Sequence, residues 1–323
     1  MSGDQRSIKR LIERATELEE RGAYARSLVC WREIVKDEPS PEWFCRHGRA
    51  AAKAQQWAEG TIAYQKAIEL APRFGLAYDG LASLLRDSGD LVGAEALLRR
   101  SVALEPTAIR LTLLGNVLTR LGKDREAQSV FEEAVEIDSS WEEAYYNLGV
   151  GYRLANKLER ARECLQRAVE LDPEYQLAYR ELGWALQQLG RCSEAEAQVR
   201  RAIDLDESDA WARIYLGNIL WSKGDTRGAK AEFRKAIRLW PESGIGQRCL
   251  ANVLESTGPA QDAERWYRKS LEADDCAVPT LFDLGRFFAR RGRMSEARPY
   301  FERVLELEPG HARATKALED LDE

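Results

Sequence analysis

The side chains most used for catalysis and metal binding are scarce and scattered in this sequence. Only two histidines occur, His47 and His311, and six cysteines (Cys30, Cys45, Cys164, Cys192, Cys249, Cys276) lie far apart with no C-x-x-C pair. A zinc site or a disulfide framework needs clustered spacing. The cysteines therefore read as small, reduced packing residues, which points to a cytoplasmic home. Carboxylates are plentiful, but they fall at the spacings of helix surfaces, such as Glu159 and Glu163. No Gly-rich phosphate loop, H-E-x-x-H or G-x-S-x-G is present. The chain reads as a non-enzyme with no cofactor and no metal. Its chemistry is that of recognition, carried by tryptophan, tyrosine, arginine and asparagine. The first three dominate binding hot spots because they offer a large rigid area or a charged fork. Asparagine presents a donor and an acceptor together.

The bulk properties narrow the classes further. The chain has 323 residues, 32% charged and 44% hydrophobic, so it folds in water rather than staying disordered. Forty-eight Lys and Arg against 54 Asp and Glu give a net charge of −6. That balance argues against general affinity for nucleic acid or anionic lipid. No apolar run approaches the ~20 residues needed to span a bilayer. The first residues, charged from Asp4 onward, show no secretory signal.

The elements that position the recognition residues follow from a repeat. The phrase starting at Glu142 recurs in register at Gln176, Ala210, Gly244 and Val278, and backwards at Ala108, Gly75, Pro41 and Ile8. Each repeat reads as helix A over its first 14 or so positions, a turn, and a helix B ending near position 31. Position 8 is Gly or Ala throughout: Ala15, Gly48, Ala82, Gly115, Gly149, Gly183, Gly217, Ala251 and Gly285. Position 20 is equally small, from Ser27 and Gly60 through Ala94 to Ala297. Glycine inside a helix costs ~1 kcal/mol relative to alanine. Its recurrence predicts a close approach of helix A to helix B. Position 15 is Gly in seven repeats and Asn156 in an eighth, predicting left-handed helix ends. Proline at position 32, as in Pro39, Pro173 and Pro309, stops helix B.

These residues resemble the tetratricopeptide repeat, whose pattern is W-x₂-L-G-x₂-Y…A-x₃-F…P. The fifth repeat supplies Tyr145, Leu148, Gly149, Tyr152, Ala161, Leu165, Ala168 and Pro173, and the seventh Leu216, Gly217, Ala229, Phe233, Ala236 and Pro241. Arg14 and His47 depart from the apolar character of position 7, as terminal repeats with solvent on one side can. The resemblance implies an all-α, right-handed α-solenoid of nine helix-turn-helix repeats with helix A lining the concave side. The expected organisation is a tail over 1–7, repeats over 8–40, 41–74, 75–107, 108–141, 142–175, 176–209, 210–243, 244–277 and 278–311, and a capping helix over 312–323.

At about 100° per residue, positions 4, 7, 8 and 11 of helix A share the core side and positions 2, 5, 9, 12 and 13 the other. Repeats one to three place no aromatic residue on that second face. Repeats four to nine place there Asn116, Arg120, Tyr146, Arg153, Arg180, Trp184, Trp211, Asn218, Trp221, Arg248, Asn252, Phe282, Arg286 and Arg290, against Glu143 and Glu255. Six arginines and two glutamates make this groove +4. The tryptophans could instead pack on a helix B or fill the seams between repeats, and that alternative stays open at this level.

The resulting expectation is a protein-interaction scaffold that binds an extended, acidic segment of another protein in the groove. Single-stranded RNA binding through the same arginines and aromatics, or self-association through terminal repeats or the outer face, are the alternatives. A clamp for chaperone C-termini would need basic and amide residues at five positions. The sequence offers Thr112, Asn116, Asn147, Leu177 and Glu181, of which two fit and one carries the wrong sign.

Overall fold

The computed structural model describes residues 3–322. They are helical throughout apart from short turns, with no strand among them. The contacts divide the chain into two bodies, Met1–Asn156 and Lys157–Glu323.

The N-terminal body holds α1 (Gly3–Glu20), α2 (Tyr24–Asp37), α3 (Pro41–Lys53), α4 (Trp57–Leu70), α5 (Gly75–Ser88), α6 (Leu91–Leu104), α7 (Ala108–Arg120), α8 (Asp124–Ile137) and α9 (Glu142–Leu154). The C-terminal body holds α10 (Leu158–Leu171), α11 (Gln176–Gln188), α12 (Cys192–Leu205), α13 (Ala210–Ser222), α14 (Thr226–Leu239), α15 (Ile245–Thr257), α16 (Ala260–Ala273), α17 (Val278–Ala289), α18 (Met294–Leu307) and α19 (Ala312–Asp322). A single 3₁₀ turn, Pro241–Ser243, joins α14 to α15. Residues 3–7, expected as part of a tail, are the opening turns of α1. Residues 1, 2 and 323, assigned to that tail and to the cap, lie outside the described residues.

In both bodies the helices form antiparallel hairpins that stack in sequence, the α-solenoid arrangement. Within each body the first helices of successive hairpins touch one another, as α3 does α5 and α11 does α13. No two second helices come as close among the described residues. A stack whose first helices are the tighter row curves toward that row, so the A-helix face is the inner one within each body.

What allows the hairpins to close is a pairing of small against large. A β-carbon added to Gly115 would sit 2.4 Å from the Phe131 ring, and one on Gly217 or Gly285 would lie 2.5 Å from Phe233 or 2.8 Å from Phe301. Each ring stands at repeat position 24 and is at most 3% exposed. Carbon atoms pack at about 3.5–4.0 Å, so a methyl group has no room there. The turns follow their own rule. Left-handed residues occur at Gly22, Gly89, Gly122, Gly190, Gly224 and Gly292, and also at Asn156 and Gln55. Gly258 breaks the expectation: its φ of −142° and ψ of −177° are extended. The residue that follows is Pro259, and a residue preceding proline is pushed into extended backbone.

His47, which departs from the apolar pattern, is buried beside an acid. Its Nε2 lies 2.8 Å from Glu59 Oε1, and Arg32 donates to the same carboxylate at 2.6 and 2.7 Å. The hydrogen-bonded Arg32 guanidinium, aided by His47, holds the Glu59 carboxyl down to about 2.

Two outcomes are expected from these contacts. Gly217→Ala gains ~1 kcal/mol of helix propensity but overpacks Phe233, a cost of about 1–3 kcal/mol, so its urea midpoint falls. Gly151→Ala, where nothing lies within 4 Å of the added carbon, raises the midpoint. The second outcome concerns Glu59. Its folded value lies below the ~4.3 of an unfolded glutamate, so its stabilisation is complete above about pH 5 and is lost as pH falls toward 2. Glu59→Gln therefore melts lower than wild type at pH 7, and the gap narrows in thermal scans at pH 4 and 3.

Candidate functional site

The residues expected to face the groove divide between the two bodies. In the N-terminal body, Asn116 and Arg120 stand on α7 and Tyr146 and Arg153 on α9. The Asn116 amide donates to Glu143 Oε1 at 3.4 Å, and Arg120 donates to the Arg86 carbonyl at 3.3 Å. The other candidates lie on α11, α13, α15 and α17 of the C-terminal body. There the first helices of three successive repeats build a cleft of about 290 Å³, lined by Trp221, Asn252, Glu255, Ser256, Arg286 and Arg290. All six occupy positions 9, 12 or 13, on the side of helix A turned away from the hairpin core.

Several candidates are less available than the sequence alone implies. Arg180 is 17% exposed and donates to Asp209 at 3.0 Å and to Glu181 at 3.2 Å. Arg248 and Asn252 donate to Asp283 Oδ2 at 3.2 and 3.3 Å, and Arg286 reaches Asp283 Oδ1 at 3.5 Å. Arg290 donates to Glu255 at 3.2 Å. The expected surplus of +4 is thus largely cancelled. Its counter-ions, Glu181 and Asp283 at position 6 and Asp209 at position 34, stand outside the five positions counted from the sequence. The Asn252 carbonyl is also occupied, accepting from the Tyr267 hydroxyl at 2.5 Å. Asn218, by contrast, is half-buried and has no hydrogen-bond partner among the described residues.

The aromatic candidates separate in the same way. Trp221 is 38% exposed and opens onto the cleft. Trp211 packs between Tyr215 and Trp240, with ring centroids 6.0 and 5.8 Å apart, so it belongs to the seam at the end of its own hairpin. Trp184 is half-buried on α11. Phe282 is 8% exposed and packs on Phe301 and His311, which makes it floor rather than open wall.

Two features escaped the sequence reading. A cavity of about 650 Å³ lies in the N-terminal body, lined by residues of α3 and α5 together with Tyr64 and Phe74. Its walls include Trp43 and Gly80, at positions 3 and 6, which the five-position count leaves out. Burial there pushes the Cys45 thiol up to about 12, so it stays protonated. The second is a cleft beside α19, lined by Phe282, Arg286, Met294, Arg313, Lys316 and Leu321 among others. Among the described residues, no three His, Cys, Asp or Glu side chains are grouped to hold a metal ion. No helix of the described residues is long and apolar enough to cross a membrane.

Comparison with known proteins places this architecture. The chain is 26% identical over 159 residues to the probable UDP-N-acetylglucosamine–peptide N-acetylglucosaminyltransferase SPINDLY of Hordeum vulgare, a match covering 46% of this chain and 17% of that protein. It is 33% identical over 101 residues to tetratricopeptide repeat protein 36 of Xenopus tropicalis, covering 30% of this chain and 50% of that one. The chain thus spans at most half the length of these curated relatives. A crystal structure of a tetratricopeptide repeat protein from Parabacteroides merdae superposes with a TM-score of 0.66 at 20% identity, over 80% of this chain and 99% of the other. Proteins with these repeats generally bind other proteins and are generally non-catalytic scaffolds. Tetratricopeptide repeat patterns match residues 45–109, 110–140, 142–175, 214–275 and 280–313. With those matches spread over most of its length and small-on-large hairpins in both bodies, the chain belongs to the tetratricopeptide repeat family.

Proposed function

We propose that this chain is a non-catalytic scaffold that holds an extended segment of another protein against the A-helix face of its C-terminal body. The observation that carries the reading is the cleft shared by α13, α15 and α17. The first helices of three consecutive repeats contribute side chains at equivalent positions, so the surface recurs along the stack and can follow an extended ligand. Trp221 offers the largest accessible apolar area in that cleft. Ser256 and the nearby Asn218 supply polar groups suited to main-chain amides and carbonyls. Arg286 and Arg290 remain partly exposed after their ion pairs are made, with side-chain exposures of 35% and 57%. Asp283 and Glu255 hold these arginines in place, so the ligand meets guanidinium groups already ordered.

Selection of a displayed random peptide library on the full chain is the direct test. Trp221→Ala is expected to weaken the selected peptides about tenfold or more, ~1.4 kcal/mol and upward. Circular dichroism and thermal melting of the variant show that the fold is kept, so that the loss is read as binding. Unchanged affinity for every selected peptide would move the site away from this cleft.

A further inference from the structure

The last helix has the register of another helix A. Ala312 stands 34 residues after Val278, so α19 begins at repeat position 1. Arg313, Lys316 and Asp320 then fall at positions 2, 5 and 9, the positions that form the inner face in the preceding repeats. The structure follows that register. Ala314 is fully buried, and α19 packs on both α17 and α18. His311 caps the helix by accepting from the Ala314 amide at 3.1 Å. Arg313, Lys316 and Asp320 all turn toward the cleft of about 380 Å³ that α19 shares with α17.

The charge of this cleft is one-sided. Arg286, Arg290, Arg313 and Lys316 line it against a single acid, Asp320. The first two are partly neutralised by Asp283 and Glu255. Among the described residues neither Arg313 nor Lys316 makes an ion pair. The Arg313 guanidinium lies over the Phe282 ring at 4.7 Å from its centroid, a cation–π contact that leaves its edge free for an acceptor. Between these cations Phe282, Phe301, Leu321 and the 45%-exposed Met294 give an apolar floor. The cleft shares Arg286 and Arg290 with the one that opens beneath Trp221.

We infer that α19 is a working wall of the binding groove rather than only a cover for the last hairpin. The groove's end takes a protein segment in which an apolar side chain is flanked by aspartate or glutamate. The apolar residue seats on Met294 and Phe282. The flanking carboxylates pair with Arg313 and Lys316 on one wall and with Arg286 and Arg290 on the other. This inference rests on the groove reading above, and to the acidic character expected of the partner it adds an apolar anchor and a second set of residues.

The test uses the full chain and peptides selected from a displayed random library. The selected peptides are expected to be net acidic with a Leu, Ile, Met or Phe beside the acids. The double change Arg313→Glu and Lys316→Glu is expected to weaken them at least tenfold. Arg313→Gln with Lys316→Gln should give a smaller loss that shrinks as salt rises from 0.05 to 0.5 M. Both pairs are exposed and without carboxylate partners, so the fold is kept, and thermal melting verifies it. Peptides without acidic bias, or affinity within twofold of wild type in the charge-reversed variant, would overturn the inference. If Trp221→Ala abolishes binding while the α19 variants keep it, the groove reading stands and this one fails. If only the α19 variants lose binding, this site stands and the Trp221 cleft does not. A library that yields no binder overturns both.

Discussion

The rest of the architecture depends on a steric exchange inside each hairpin, in which a residue without bulk on one helix faces a large side chain on the other. Gly115 against Phe131 and Gly217 against Phe233 are examples. A glycine in mid-helix weakens that helix locally, and the ring that fills its place more than offsets the loss by burying its whole area. Because a small residue recurs at position 8 and an apolar one faces it from position 24, the hairpins close at one register. Side chains on the opposite face of helix A then recur at fixed positions. The surface proposed for binding is thus a by-product of how the hairpin core is filled.

The electrostatics of that surface run between hairpins as well as within helices, where Arg286 meets Asp283 and Arg180 meets Glu181. Arg180 meets Asp209, Arg248 meets Asp283 and Arg290 meets Glu255, pairs about one repeat apart in sequence. Partly buried pairs of this kind are screened less by salt than exposed ones. They tie α11 to the start of α13 and α15 to the α17 hairpin. Toward the end of the C-terminal body the pairing runs out. Arg313 and Lys316 extend the row of cations without acids to match.

The hairpins were legible in the sequence because their signals are local: the small residues at positions 8 and 20, the left-handed turns and the prolines after helix B. The exceptions are local too, for Gly258 is straightened by the proline after it and Gln55 takes a left-handed turn without being glycine. The groove was legible only in part. Counting five positions per helix finds Trp221, Arg286 and Arg290, which do share a cleft. It misses Asp283 and Asp209, because their pairing with Arg248 and Arg180 depends on how neighbouring hairpins meet, a distance that helical periodicity does not encode. It also places Trp211 and Phe282 on that face, with packing left open for Trp211, whereas Trp240 just after α14 and Phe301 of α18 lie against them within their own hairpins.

Asp283 is a shared anchor, holding Arg248, Asn252 and Arg286 around one carboxylate. Long basic side chains normally surrender much rotational freedom when they are immobilised. Here that toll is levied during folding, before any guest arrives. In the binding mode proposed above, an incoming acid would share guanidinium groups that already have an owner, which favours fit of shape over raw strength. On that proposal, release of the guest leaves the guanidinium groups with their Asp283 anchor, so no buried charge is stranded when it departs.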